Sequence, residues 1–320
     1  MSWMVFFSKL LSPNFHALAK TSKAIQLISI SVSHYCEIAT WALKLQKIPF
    51  EEYGYDPLQH VFPTLAVGVG DKSQRHLSTS SRTTAVPSPH LNEEERAAKM
   101  AKEIRRDQQA RATAAPVAVC PDGTIWKDSW EIATQSGLND IDPELKTLLD
   151  ERVGPLTRQY AYGFLLKPKH SQLFTELCTA HHHWLWKLLW NLFLGKQVRS
   201  VLMKTMKADD PAAVEECKEK LAQAMKELDA IIQARTGSAT GSLNDKKTFL
   251  SGEAATPGLA DIAVAALVAP LVNPPLYRDG LFEQLFERVR MSDDEVLKNS
   301  DLWRNSIAGK FTMEFYAKYR

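Results

Sequence analysis

A chain of 320 residues, 45% apolar and 24% charged, is long enough for two ordinary domains and has the profile of a globular protein with a sizeable core. A formal net charge of +2 excludes the broad basic face that nucleic-acid binding needs. The four cysteines, Cys36, Cys120, Cys178 and Cys217, lie far apart with no CxxC pair, which fits independent reduced thiols and excludes a disulfide framework.

The N-terminal stretch MSWMVFFSKLLSPNFHALAKTSKAIQ carries no acidic residue, the first being Glu37. That deficit marks mitochondrial and plastid presequences, but the stretch also lacks arginine, the first being Arg75. Residues 1–23 therefore read as an extension, with the cytoplasm as expected compartment and an organelle as the alternative. No apolar run approaches the length of a membrane-spanning helix, so none is predicted.

AIQLISISV (24–32) is apolar and isoleucine-rich, which predicts a buried strand. HYCEIATWALKLQKI follows with Ile38, Trp41, Ala42 and Leu45 at helical spacing, and PFEEYGYDP reads as a second strand ending at an Asp56-Pro57 turn. Residues 70–92 are polar and rich in Ser, Thr and Pro, hence a loop or insertion. A solvated helix follows, with Asn92 at its cap and Glu95 three residues on. APVAVCPDGTIWKDS (115–129) predicts two antiparallel strands joined by a Pro-Asp-Gly turn. DSWEIATQSGL then opens a helix capped by Asp128 or Ser129.

From about 143 every periodic segment is helical. DPAAVEECKEKLAQAMKELDAIIQAR starts at Asp210-Pro211 and carries the stripe Val214, Cys217, Leu221, Met225, Leu228, Ile232. GLADIAVAALVAPLV is apolar nearly all round, as a central buried helix would be. SDDEVLKNSDLW opens with Ser292 and Glu295 in capping-box spacing. Successive residues of a helix diverge too far for His181, His182 and His183 to share one ion, and no zinc or phosphate-cradling motif appears, so no metal is expected. The Trp and Leu cluster that follows reads as core, interface or the wall of an apolar pocket, or else as a membrane-surface helix.

The order β-α-β, insertion, β-β-α, all-helical half resembles the glutathione transferase family, with a thioredoxin-like domain ahead of a helical domain. SHYCEIATWAL resembles the family's S-x-x-C turn into the first helix, and APVAV the segment holding its cis-proline, which would be Pro116 with Pro87 as rival. KDSWEIA resembles the acidic-Ser-x-x-Ile motif that holds the γ-glutamyl end of glutathione, and GEAATPGLADI the G-x-x-x-S-x-A-D-I segment of the helical domain. The resemblance implies a glutathione-binding α/β domain over 24–137 with the insertion at about 70–112, and an all-α bundle over 143–320. It implies glutathione as co-substrate, an apolar small-molecule electrophile, a detoxification-type conjugation and a homodimer.

On that resemblance Ser33 is the catalytic residue. A hydroxyl at a helix N-terminus can donate to a thiolate, and the helix end favours an anion. Cys36 is the alternative, working by thiol exchange, which requires it exposed and of low pKa. Ala115 would offer its backbone to glutathione beside Pro116, while Asp128 and Ser129 would meet its α-amino and carboxylate groups. Tyr35 and Trp184 are assigned to the substrate pocket, and His34 reads as a surface residue or a carboxylate guide. Three features depart from the family pattern. Ile38 and Thr40 stand where relatives carry basic residues, the 70–112 insertion falls where ligand loops lie, and Gly258 replaces a capping Ser or Thr. The first two favour a second reading, a non-catalytic binding or scaffold protein.

Overall fold

The computed structural model describes residues 12–57, 59–68, 114–138, 141–179, 184–237, 249–251, 256–280, 282–290 and 294–320. The 70–112 insertion with Pro87, His181 to His183 and Ser292 lie outside the described residues.

The extension read from the sequence contains a helix among its described residues. Residues Phe15–Ser22 form a helix, α1, capped by Asn14, whose Oδ1 accepts from Ala17 N at 3.1 Å. Phe15 and Ala19, one turn apart, are buried against the sheet together with Ile28, Val117 and Val119. Polar neighbours hid this two-residue stripe.

Strand β1 (Ile25–Ile30) is buried along nearly its whole length, as a strand covered on both faces must be. It pairs in parallel with β2 (Phe50–Tyr55), from Ile25 opposite Phe50 to Ile30 opposite Tyr55, after the crossover helix α2 (His34–Leu45). On its other side it pairs antiparallel with β3 (Val117–Val119), placing Ile28 opposite Val117. A turn at Gly123, φ +92°, returns the chain into β4 (Ile125–Lys127). The order β2-β1-β3-β4 is that of a thioredoxin-like sheet. Side chains alternate across it. Ile25, Leu27 and Ala118 face α2 and α4 (Ser129–Gln135), while Ile28, Val117 and Val119 face α1 and α3 (Val61–Gly68).

The helical half begins with α5 (Pro143–Thr147), a π-helical turn and α6 (Gly154–Leu165). Next come α7 (Ser171–Thr179), α8 (Trp184–Leu189), α9 (Gly195–Met206) and the long α10 (Pro211–Thr236). Along α10 Cys217, Leu221, Met225, Leu228 and Ile232 are buried. The centre is α11 (Leu259–Val272), buried on every side apart from Pro270, as its uniform apolarity requires. The chain closes with α12 (Glu283–Arg290), α13 (Asp294–Asn305) and α14 (Ile307–Tyr319).

Gly258 caps α11, but the cap is not impoverished. Buried Asp261 accepts from Leu250 N at 2.7 Å, Ser251 Oγ at 2.8 Å and Gly258 N at 3.0 Å. A side chain at Gly258 would run into Ser251, so the hydroxyl that the family pattern puts on the cap residue arrives instead from Ser251. The glycine is a steric requirement.

A buried charge cluster joins the halves. Arg278 donates to Ser31 O at 2.8 Å, to Glu37 at 3.3 Å and to Glu52 at 2.7 Å. Glu37, fully buried, also accepts from Arg320 Nε at 3.0 Å and Tyr316 OH at 3.1 Å. Thr40 donates to Glu52 at 3.2 Å, and Ile38 is core. The positive charges missing from α2 are thus supplied to it from the helical half.

Candidate functional site

The β1–α2 turn builds the site. Ser33 N donates to Ile30 O at 2.9 Å, and Ser33, in extended conformation at φ −90°, caps α2 by accepting from Cys36 N at 3.4 Å. Its hydroxyl therefore sits at the positive end of a 12-residue helix. Ser33 and Ala115 line the same cavity, and the Ala115-Pro116 peptide bond is cis. Pro116 O accepts from Asp128 N at 3.3 Å, tying the α4 cap to this turn. Asp128 holds φ +118°, a conformation that costs a non-glycine residue about 1–3 kcal/mol. It is kept there by its own cap, Oδ1 accepting from Glu131 N at 2.8 Å. Asp128 is open to solvent and Ser129 is buried, and neither lines the cavity.

The cavity itself has a volume of about 570 Å³, the size of a small-molecule site. Its sheet-side wall comes from Ile30, Val32, Ser33 and Tyr35, and its helical wall is largely aromatic and aliphatic. Three cationic residues line it, Arg158, Lys167 and Lys218, and among the described lining residues there is no carboxylate. Arg158 lies near enough to His34 to act on its ionisation. Sequence reasoning missed this residue because nothing in GPLTRQYAYGF separates a cavity arginine from a solvated one.

Neighbours of Ser33 have structural duties. His34 is buried, not at the surface, and its Nε2 bonds Gly154 O at 3.1 Å, so Nε2 carries the proton. Burial first, then the Arg158 charge, lower its pKa to about 3, leaving a neutral ring. Tyr35 lines the cavity and donates to Asp150 O at 3.5 Å. Cys36 is fully buried, its Sγ accepting from Ile30 N at 3.3 Å. Burial pushes the thiol up to about 11, against the Arg278 charge and hydrogen bonds from Ile30 and Ser33. The exposure and low pKa that thiol exchange requires are both missing.

Trp184 does not belong to the pocket. It begins α8 with 66% of its surface exposed and is absent from the cavity wall. In the same run Trp190 is buried, packed near Phe174 at 6.2 Å. Among the described residues no cluster of His, Cys, Asp or Glu could hold a metal ion, and no helix is long and apolar enough to cross a membrane.

No family model and no curated protein matches the chain. Solved structures similar to it include a glutathione transferase family member from Pseudomonas fluorescens pf-5 with two glutathione bound, at 12% identity and TM-score 0.43, covering 99% of this chain and 96% of that one. Glutathione transferase GSTFuA3 from Phanerochaete chrysosporium is similar at 13% identity and TM-score 0.42, over 93% and 97% of the two chains. The beta-etherase LigF from Sphingobium sp. strain SYK-6 is similar at 14% identity and TM-score 0.40, over 91% and 99%. The fold stands on the chain's own strand order, the cis Ala115-Pro116 bond and the helical half that follows.

Proposed function

We propose that the protein binds glutathione at the β1–α2 turn and activates its thiol for attack on an apolar electrophile held in the cavity. The carrying observation is that Ser33, at the N-terminus of α2, and Ala115, beside the cis bond, open onto one cavity. Ala115 presents its backbone to the ligand's central peptide, and Asp128 meets the α-amino group. The ligand's sulfur then lies at Ser33.

A thiol of ordinary pKa, about 8.5, is mostly protonated at neutral pH. A hydrogen bond from Ser33, the helix end and the positive charge of Arg158 all favour the thiolate. The Ser33 hydroxyl also reaches the Cys36 thiol, but a charged thiolate is the stronger acceptor. In the reaction the thiol proton passes to solvent, a sulfur lone pair forms the S–C bond, and the leaving group departs with the electrons of the broken bond. The aromatic walls hold the electrophile away from water.

Titration calorimetry with glutathione on the wild type, Ser33→Ala and Asp128→Ala tests this. Expected are binding by the wild type, its loss in Asp128→Ala, and retention in Ser33→Ala. With an apolar aryl halide, Ser33→Ala is expected to turn over about 10²–10³-fold more slowly, as for loss of a donor to a developing anion. No binding at millimolar glutathione would sink the reading. Binding without turnover would instead support the non-catalytic reading, which the existing engagement of Ser33 Oγ with Cys36 N favours.

A further inference from the structure

The helix running through α8 and α9 turns apolar residues towards solvent. It is unbroken from Trp184 to Met206, by way of a π-helical turn at Trp190–Leu194. One side docks on the helical half through Trp190, Val198 and Leu202, which pack with Leu166, Phe174 and Cys178. On another side every fourth residue is exposed, in the row Trp184, Leu188, Leu192, Lys196, Ser200, Lys204. The first half of this row is apolar, with Phe193 beside it, and the second half is polar and basic. Leu192 and Phe193 leave 60% and 63% of their surface in water. A helix whose only duty was to dock on the core would carry polar residues there.

The charge of the segment is one-signed. From Leu177 to Ala208 the chain holds five cations, Lys187, Lys196, Arg199, Lys204 and Lys207, and no acid. Arg199 is spent on Leu166 O, at 3.0 and 2.6 Å. Two acids of neighbouring helices offset part of the charge. Glu176 shares a groove with Lys187 and Lys196, and Glu216 lies near Lys207. Lys187, Lys196 and Lys204 are exposed and form no ion pair among the described residues.

That combination selects the occupant. Protein interfaces are depleted of lysine, and an isologous contact along the row would bring a second set of lysines onto the same face. Tryptophan, phenylalanine and leucine beside solvated lysines suit the boundary of a bilayer. The apolar side chains enter below the headgroups, and the ammonium groups stay at the phosphates. We propose that this side of α8 and α9 rests on the surface of an anionic lipid bilayer, lying along it without crossing it. The proposal is independent of the glutathione reading.

The test is flotation of the full chain with vesicles of phosphatidylcholine containing phosphatidylserine, and with vesicles of phosphatidylcholine alone. Binding is expected on the anionic vesicles, about tenfold or more weaker on the neutral ones, and weakened by added salt. Lys196→Gln with Lys204→Gln should weaken binding to the anionic vesicles about tenfold and leave the neutral ones unchanged. Leu188→Gln with Leu192→Gln should weaken both about tenfold. All four side chains are exposed, so both double variants should melt with the wild type. No flotation, equal binding to the two vesicles, or binding unmoved by either double variant would each overturn the proposal. Two further results would also overturn it. Self-association in sedimentation velocity that Leu188→Gln with Leu192→Gln abolishes would give the face to a second copy. A lowered melting temperature in that variant, with no flotation of the wild type, would give it to the chain itself.

Discussion

Replacing Arg278 by methionine keeps an apolar stem of similar length and removes one buried positive charge. The wild-type guanidinium serves three acceptors, Ser31 O, Glu37 and Glu52. In the variant Glu37 keeps Arg320 and Tyr316, whereas Glu52 keeps the hydroxyls of Ser29 and Thr40. The cluster is left with a net negative charge away from water. Breaking a buried pair in this way costs about 3–5 kcal/mol at neutral pH, several times the value of a surface pair. The pH dependence follows from Glu52. Burial alone would raise its carboxyl, but the Arg278 charge, with hydrogen bonds from Ser29, Arg278 and Thr40, holds it below the ordinary range. A depressed carboxylate contributes stability above its unfolded pKa, about 4.3, and loses it as pH falls through the folded value. Without Arg278 burial dominates, the folded pKa rises above the unfolded one, and protonation stabilises the variant as pH falls. The deficit relative to wild type should therefore be largest near neutral pH and narrow towards pH about 4. Urea unfolding of both proteins across that range measures it, and Glu52→Gln in the variant should restore part of the loss. A deficit under about 1 kcal/mol at neutral pH, or one that does not narrow, would refute the assignment of a buried, charge-balanced cluster.

Gly258→Ser places a hydroxyl where the family pattern has one, yet it should destabilise by about 1–3 kcal/mol because the added atoms meet Ser251, as a fall in melting temperature would show. Cys36 should resist iodoacetamide in the native protein and react on denaturation, since it is buried with its thiol pushed up to about 11; rapid native modification would revive thiol exchange. His34 titrates near 3 when folded against 6.5 unfolded, so its stabilisation is present above pH 6.5 and drains as pH falls towards 3. His34→Gln should accordingly gain on the wild type by about 1.4 kcal/mol per pH unit in that window, measured by urea unfolding.

Local chemistry carried most of the fold. The β1–α2–β2 unit was legible because its apolar period switches from strand to helix and back, and the β3–β4 hairpin because Pro121-Asp122-Gly123 has the residues a tight turn needs. Buried α11 was legible because no face of it is polar. What escaped notice depends on partners distant in sequence. Trp184 and Trp190 look alike in WLWKLLWNLF, and only docking on Phe174 and Val198 decides which is buried. Nothing in HYCEIATWAL marks Glu37 as buried, because its guanidinium partners lie 241 and 283 residues away.

The long-range contacts also decide where the catalytic proposal could fail. Ser33 is positioned by the turn before it and the helix after it, and the helical half grips both. Arg278 holds Ser31 O two residues upstream, His34 bonds Gly154 O, and Tyr35 reaches Asp150 O while filling the space where a side chain at Gly154 would lie. Each of the two residues after Ser33 therefore spends its polar group on an interdomain bond, which explains why neither is free for chemistry. The same bonds leave the Ser33 hydroxyl as the polar group of this turn open to a ligand in the cavity. A hydroxyl fixed from both sides needs little reorganisation to meet a thiolate, and such preorganisation is where a single hydrogen bond has most effect on an anion. The buried charge cluster and the candidate site are accordingly one construction. The guanidinium that pairs with Glu37 and Glu52 also holds Ser31 O, in the turn that leads to Ser33.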